Sequence, residues 1–263
     1  MPYLADISFR ESTALPSGFP FDLPVIETLD TLRFDTPVTF FVGENGSGKS
    51  SLIEAIAVGL KCPAMGASDP ASDPLLEAAQ ELAKALRFSR IKAPKRKLFF
   101  RAEDAIGFTR RVQRDMSDLS DMEDHFNETL TGYGRTLATG AIRGQRGALS
   151  GRYGENPDAR SHGEWFLEMI KARLLDNGLY LLDEPETPLS PIHQLSLLSI
   201  IQSQVDRGCQ FIIATHSPIL MALPGARILN FDRRIEPVAW QDVEHVAITR
   251  AFLNDPESFL RHL

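Results

Sequence analysis

Short, almost entirely apolar runs recur along the chain, and each ends abruptly in glycine, acids or a polar loop. Val38 to Val42 (VTFFV) stops at Gly43, Leu179 to Leu182 stops at Asp183, and Phe211 to Ala214 (FIIA) stops at Thr215. Runs this short, without polar alternation, are what strands covered on both faces require, as in a parallel sheet held between helices. Helical spacing fills the intervals. Lys49 to Leu60 follows the first glycine-rich interval, and Pro191 to Asp206 has Ser190 in the N-cap position, Pro191 in its first turn and Gly208 just past its end. Ala226 to Phe231 and Pro237 to Trp240 read as further strands, and Glu244 to Phe252 as a closing helix. Strand and helix signals alternating in this way predict an α/β fold, a mostly parallel sheet flanked by helices.

The middle of the chain departs from that rhythm. Pro63 to Pro74 is rich in Ala, Ser, Asp and Pro and predicts a loop, with a helix over Leu75 to Phe88. Arg135 to Arg160 is rich in glycine and arginine with almost no apolar periodicity, which predicts a long loop. No heptad stretch is present, so no long coiled-coil arm is expected. The expected organisation is a single domain over 1–263, with 63–160 as a helical and loop insertion.

Composition narrows the class. Hydrophobic residues make up 43% of the 263 positions and charged ones 24%, which excludes a disordered or collagen-like chain. The two cysteines, Cys62 and Cys209, are too few for a disulfide framework or a structural zinc site and suit a reducing cytoplasm. No apolar run approaches the roughly 18 to 20 residues that span a bilayer, and the N-terminus lacks a basic start followed by an apolar stretch. A soluble cytoplasmic protein without membrane insertion is expected. The net charge of -7 argues against a generally basic nucleic-acid coat, yet Arg87 to Arg114 carries ten Lys/Arg against Glu103 and Asp104, and Asp115 to Glu128 then carries six acids and no Lys or Arg.

The candidate chemistry sits at the ends of the apolar runs. Gly43-Glu44-Asn45-Gly46-Ser47-Gly48-Lys49-Ser50 fits G-x-x-x-x-G-K-[ST] in full and lies between a predicted strand and a predicted helix, the context that gives the pattern meaning. Glycines let the backbone wrap so that successive N–H groups face phosphate oxygens, while the following helix presents its positive end. Lys49 is then placed for the β- and γ-phosphates and Ser50 for Mg²⁺. Asp183 and Glu184 end the second run: Asp183 is a candidate for the Mg²⁺ shell, usually through water, and Glu184 for the general base, although two acids after a strand also make a solvated strand end. His216, in Thr215-His216-Ser217, stands at the carboxyl edge of the same sheet, where open α/β sheets bind ligands, and from there an imidazole can donate to the γ-phosphate.

The phosphate loop GENGSGKSS (43–51, including Ser51), the acids DEPE (183–186) followed by Thr187 to Pro191, and ATHSP (214–218) resemble, in kind and order, the ATPase heads of the ATP-binding cassette (ABC) superfamily. The likeness is strongest to its non-transporter, RecF-like and SMC-like branch. Stand-alone bacterial ATPases of this size are similar, including the ending FLNDPESFL (252–260). The wide separation of Lys49 from Asp183 differs from AAA+ machines, and no NKxD guanine-reading motif is present. The resemblance implies a P-loop NTPase fold, ATPase activity with ATP and Mg²⁺ as cofactors, and an ATP-dependent homodimer. Each nucleotide would be sandwiched between the phosphate loop of one head and a signature motif at a helix start of the other.

The usual signature is close to LSGGQ. Its counterpart here is Arg160-Ser161-His162-Gly163-Glu164, which keeps Ser161 and Gly163 as nucleotide contacts, while Ser161 and Glu164 also form the S-x-x-E of a capping box. By the same resemblance Glu103, in Phe99-Phe100-Arg101-Ala102-Glu103, takes the place of the Q-loop glutamine near Mg²⁺, with Gln113 as the other choice. Arg10, at the end of Ile7-Ser8-Phe9-Arg10, corresponds to an arginine near the nucleotide, and Phe19 or Phe21 to a residue packing on adenine. The branch implies a DNA-linked process, repair or defence, as the role of the switch. The alternative is a regulatory head controlling an effector protein such as a nuclease or toxin; a transporter subunit is disfavoured by the departure from LSGGQ and by DEPET.

Overall fold

The computed structural model describes residues 2–11, 15–65, 70–71, 73–153 and 162–261, and within these not the side chains of 103–106, 108–111, 113, 152–153 and 162. The chain opens with β1 (Leu4–Phe9), α1 (Pro24–Glu27), β2 (Thr31–Arg33), β3 (Val38–Val42) and α2 (Lys49–Gly59). Next come α3 (Glu77–Ala85), β4 (Leu86–Arg90), β5 (Arg96–Arg101), α4 (Ala102–Thr129), α5 (Gly132–Tyr153) and α6 (His162–Arg173). The last part holds β6 (Gly178–Asp183), α7 (Pro191–Asp206), β7 (Gln210–Ala214), β8 (Arg227–Asn230), β9 (Glu236–Pro237), α8 (Glu244–Asn254) and α9 (Pro256–Leu260).

The central sheet runs β5-β6-β7-β3-β8-β9; it is parallel except for the short edge strand β9, which pairs antiparallel with β8. A second, antiparallel sheet of order β2-β1-β4 lies beside it. The side-chain period of two sorts each central strand onto two cores. Phe40, Phe100, Tyr180, Leu182, Phe211 and Ile213 face the layer of α6 and α7, where Trp165, Phe166, Leu197 and Ile201 close over them. Phe41, Phe99, Leu181 and Ile212 face α2 and α3 and the small sheet, against Leu52, Ile56, Leu82, Leu4 and Phe34. Both cysteines are buried and unpaired, and burial pushes the Cys62 thiol up to about 12, so it is core filling.

Three expectations are corrected. Residues 135–153 belong to a helix, not a loop: α5 packs against α4 as a hairpin, with Ile142 and Thr139 buried and Arg143 and Arg146 paired to the Glu123 carboxylate (2.5 and 2.9 Å). Tertiary contact overrides the low helix propensity of its glycines. The helix expected over Leu75–Phe88 ends at Ala85 because Leu86–Arg90 are claimed by backbone pairing to β1, with Phe88 opposite Ile7. The strand expected over Pro237–Trp240 shortens to two residues, and Trp240 enters a 3₁₀ turn with its Nε1 donating to the Pro218 carbonyl at 2.9 Å. Among the described residues no helix is long and apolar enough to cross a membrane.

Candidate functional site

β6, β7 and β3 are neighbours in the sheet, and their register is level. Ala214 stands between Asp183 on one side and Phe41 on the other, so the loops leaving the three strands open at one height. This brings together the phosphate loop, the Asp183–Glu184 pair and Thr215–Ser217 from distant parts of the sequence.

Gly43, Gly46 and Gly48 have φ of 139°, 79° and 98°, in the region that favours glycine, and a Cβ on Gly48 would also lie 2.8 Å from Val25 Cγ2 of α1. Gly48 caps α2 without a side chain, so the first N–H groups of that helix are open to an acceptor from outside. Ser47 Oγ is buried without a hydrogen-bond partner among the described residues. Lys49 is buried, and its Nζ donates to the carbonyls of Gly43 (2.8 Å) and Glu44 (2.7 Å). Burial pulls its pKa down, opposed by the nearby carboxylates of Glu184, Asp183 and Asp232.

Ser50, on the first turn of α2, donates from Oγ to Asp183 Oδ1 at 3.2 Å. Burial, with Glu54 and Glu184 as like-charged neighbours, pushes the Asp183 carboxyl up to about 7, against the hydrogen bond from Ser50 and the charge of Lys49. A hydroxyl and a buried acid converging beside a phosphate loop are oxygen donors suited to Mg²⁺. No cluster of three or more His, Cys, Asp or Glu that could hold a metal occurs among the described residues, so such a cation would complete its shell from nucleotide and water.

Glu184 has φ 48°, an uncommon value for a residue with a side chain, fixed by its N–H bonding to the Ala214 carbonyl at 2.9 Å. Its side chain is more exposed than that of Asp183, and Oε1 lies 3.9 Å from His216 Nε2. Burial, then the charge of Lys49, lowers the His216 pKa, which favours a neutral ring. The His216 backbone N–H donates to Glu186 Oε1 at 2.6 Å, and burial raises the pKa of that carboxylate.

The remaining expected residues fall out variously. Asn45 lines a cleft of about 440 Å³ together with Gly43, Glu44, His216, Asp232 and His245. Ser51 continues α2 behind Ser50. Arg10 is engaged by the small sheet, its Nε donating to the Leu86 carbonyl at 3.1 Å. Arg101 pairs in register with Asp183, which sets the backbone of Glu103 close beyond the end of β5; the side chains of Glu103 and Gln113 lie outside the described residues, as does Ser161. Gly163 is buried at the start of α6, where a Cβ would come 2.5 Å from His193 Nδ1 of α7, so this glycine serves the close approach of two helices. Phe21 is part of the core, whereas Phe19 is 64% exposed.

Two residues of the site, Asp232 and His245, carry no recognised signal in the sequence, and a third, Glu186, has a role that its motif does not reveal. Asp232, after β8, accepts the Glu44 N–H on Oδ1 at 2.8 Å and so tethers the phosphate loop; Glu186 anchors the His216 backbone; His245 arrives on α8. The second Glu of DEPE was visible as a residue, but its target lies 30 positions away.

A family model described as "AAA domain" matches residues 26–134. The match takes in the phosphate loop and stops before Asp183, so the separation of those two motifs does not enter it. No curated protein sequence matches. Similar solved structures include the Smc head domain of Pyrococcus furiosus bound to the C-terminal domain of ScpA, at 12% identity over 95% of this chain and 100% of that one, with a TM-score of 0.47. A nucleotide-free ATP-binding cassette from an ABC transporter is similar at 15% identity, over 98% of this chain and 97% of that one, with a TM-score of 0.47. The SMC head domain of Thermotoga maritima is similar at 15% identity, over 90% of this chain and 100% of that one, with a TM-score of 0.39. The family match takes in less than half of the chain.

Proposed function

We propose that the protein is a Mg²⁺-dependent ATPase whose heads pair on ATP and separate after hydrolysis, so that nucleotide acts as a conformational switch. The observation that supports this best is the meeting, at three adjacent strand ends, of Lys49, the Ser50–Asp183 pair and the Glu184–His216 pair. Phosphate oxygens arriving at the N-terminus of α2 would replace the Gly43 and Glu44 carbonyls as acceptors for Lys49 Nζ. Ser50 and Asp183 would hold Mg²⁺, with Glu103 as a further candidate; the ion, when bound, neutralises phosphate charge and fixes its geometry. Glu184, half-exposed beside the cleft, takes the proton of the attacking water, and His216, held neutral, faces the terminal phosphate. Ser161 and Gly163, before and within the first turn of α6, would meet the partner head's nucleotide.

Glu184→Gln tests this reading. It keeps Lys49, Ser50 and Asp183 and so retains ATP binding, while turnover falls by about 10² or more, and the variant runs as a dimer in ATP. Turnover at the wild-type rate overturns the assignment of the base.

For the process served, exposed Arg87, Arg90 and Lys95 on β4 and the turn after it favour a DNA-linked role. A second reading, control of an effector protein, is favoured by the α4–α5 hairpin, which carries Tyr133 and Leu137 near its tip, 82% and 65% exposed.

A further inference from the structure

His245 stands in the first turn of α8, more than 190 residues from the phosphate loop, yet it lines the same cleft. Its ring lies 6.0 Å from that of His216, with 48° between the planes. In both rings Nε2 is buried and has no hydrogen-bond partner among the described residues. Both rings line one cleft, and a buried nitrogen without a hydrogen bond is costly unless a ligand, or a small turn of the ring toward one, completes it.

The other side chains around that cleft limit what the ligand can be. Glu44, Asp232 and Glu244 are acids and repel a phosphate, and Asp232 is already bonded to the Glu44 N–H. Asn230 Oδ1 accepts from the Asp232 N–H at 3.3 Å, which leaves its side-chain NH2 as a neutral donor beside β8. The backbone of Gly43 and Glu44, on which Lys49 Nζ rests, forms the floor. Of the groups on α8, the His245 imidazole is the one able to donate to an anionic oxygen at this end of the phosphate loop, through its Nε2–H tautomer or its protonated form.

We infer that His245 is a second phosphate-facing imidazole of the site, contacting the terminal phosphate of ATP from the α8 side while His216 contacts it from the end of β7. The inference rests on the ATP reading above and adds to it a residue from the C-terminal helix, which couples the position of α8 to whether the nucleotide carries a third phosphate.

The test compares the affinity of wild type, His245→Ala and His245→Gln for Mg²⁺-ADP and for the Mg²⁺ complex of the β,γ-imido analogue of ATP. The expected result is that His245→Ala weakens the imido analogue about tenfold, the size of a hydrogen bond to a charged group, and leaves ADP unchanged, while His245→Gln, which keeps a donor, recovers part of the loss. Equal binding of both nucleotides by His245→Ala and wild type overturns the inference. So does an equal weakening of both, which is the mark of a structural role. Should the alanine variant fail to fold, His245→Phe, which keeps a ring and removes the donor, carries the same comparison. Failure of the ATP reading looks different, since wild type itself would then bind neither nucleotide.

Discussion

At the scale of single residues, Asp183 ties the chemistry of the site to the stability of the fold. Its carboxyl, ordinarily at 3.8, is pushed up to about 7 by burial and by the neighbouring acids Glu54 and Glu184. Between those two values the folded chain holds a proton that the unfolded chain has released, so stability without Mg²⁺ and nucleotide falls as pH rises from about 4 to about 7 and is level above. Asp183→Asn removes the titration. The variant is expected to be more stable than wild type by about 2 to 4 kcal/mol above neutral pH, with the gap closing toward acid, as read by denaturant melts at a series of pH values in chelator. Parallel stability curves for the two proteins would show that the burial of this carboxyl is not felt. The same residue was legible in sequence because a buried strand ending in two acids is a local pattern. Asp232 and His245 were not, since their positions depend on β8 and α8 folding back over a loop 188 and more residues earlier.

Elements show where reading from sequence stopped for a physical reason. β3, β6 and β7 were legible because each is buried on both faces and needs no partner-specific signal. Leu86–Phe88 read as the end of a helix because Leu86–Arg90 become a strand only through β1, a contact across roughly eighty residues. The sequence of α5 reads as loop because its glycines weaken the helix locally, while the contacts that offset them come from α4 and from Glu123. The α6–α7 contact gives a test at this scale. Gly163 meets His193, and His193 Nδ1 is 3.1 Å from Ser190 Oγ, so a methyl group on Gly163 must displace the ring and break that contact. Gly163→Ala is expected to lose about 1 to 3 kcal/mol of stability, and much less when His193 is also alanine. A full, undiminished loss in the double variant would mean that the crowding lies elsewhere on α6.

The whole molecule carries a net charge of -7, so any hold on nucleic acid must come from a local surface. The basic stretch supplies less of one than its composition suggests. Arg101 is buried between Glu54 (3.6 Å) and Asp73 (3.2 Å), Lys97 donates to the Leu60 carbonyl at the end of α2, and Lys92 sits over the Tyr3 ring at 4.7 Å. Arg101 and Lys97 are thereby engaged by the fold, while Lys92 stays exposed. Arg87, Arg90 and Lys95 are exposed along β4, an edge strand of the small sheet, and on the turn that follows, where a phosphate backbone can reach them. If they are the DNA-facing charges, affinity for duplex DNA falls steeply with salt, because each neutralised phosphate releases condensed counterions. Alanine at all three positions then flattens the log–log slope by up to about 3, with little regard to base sequence. ATP turnover in the absence of DNA is expected to be retained, since none of the three touches the phosphate loop, and that separates a lost surface from a lost fold. No measurable binding to DNA by wild type at low salt, with ATP or without, removes the nucleic-acid role and leaves the exposed tip of the α4–α5 hairpin as the place to seek a protein partner.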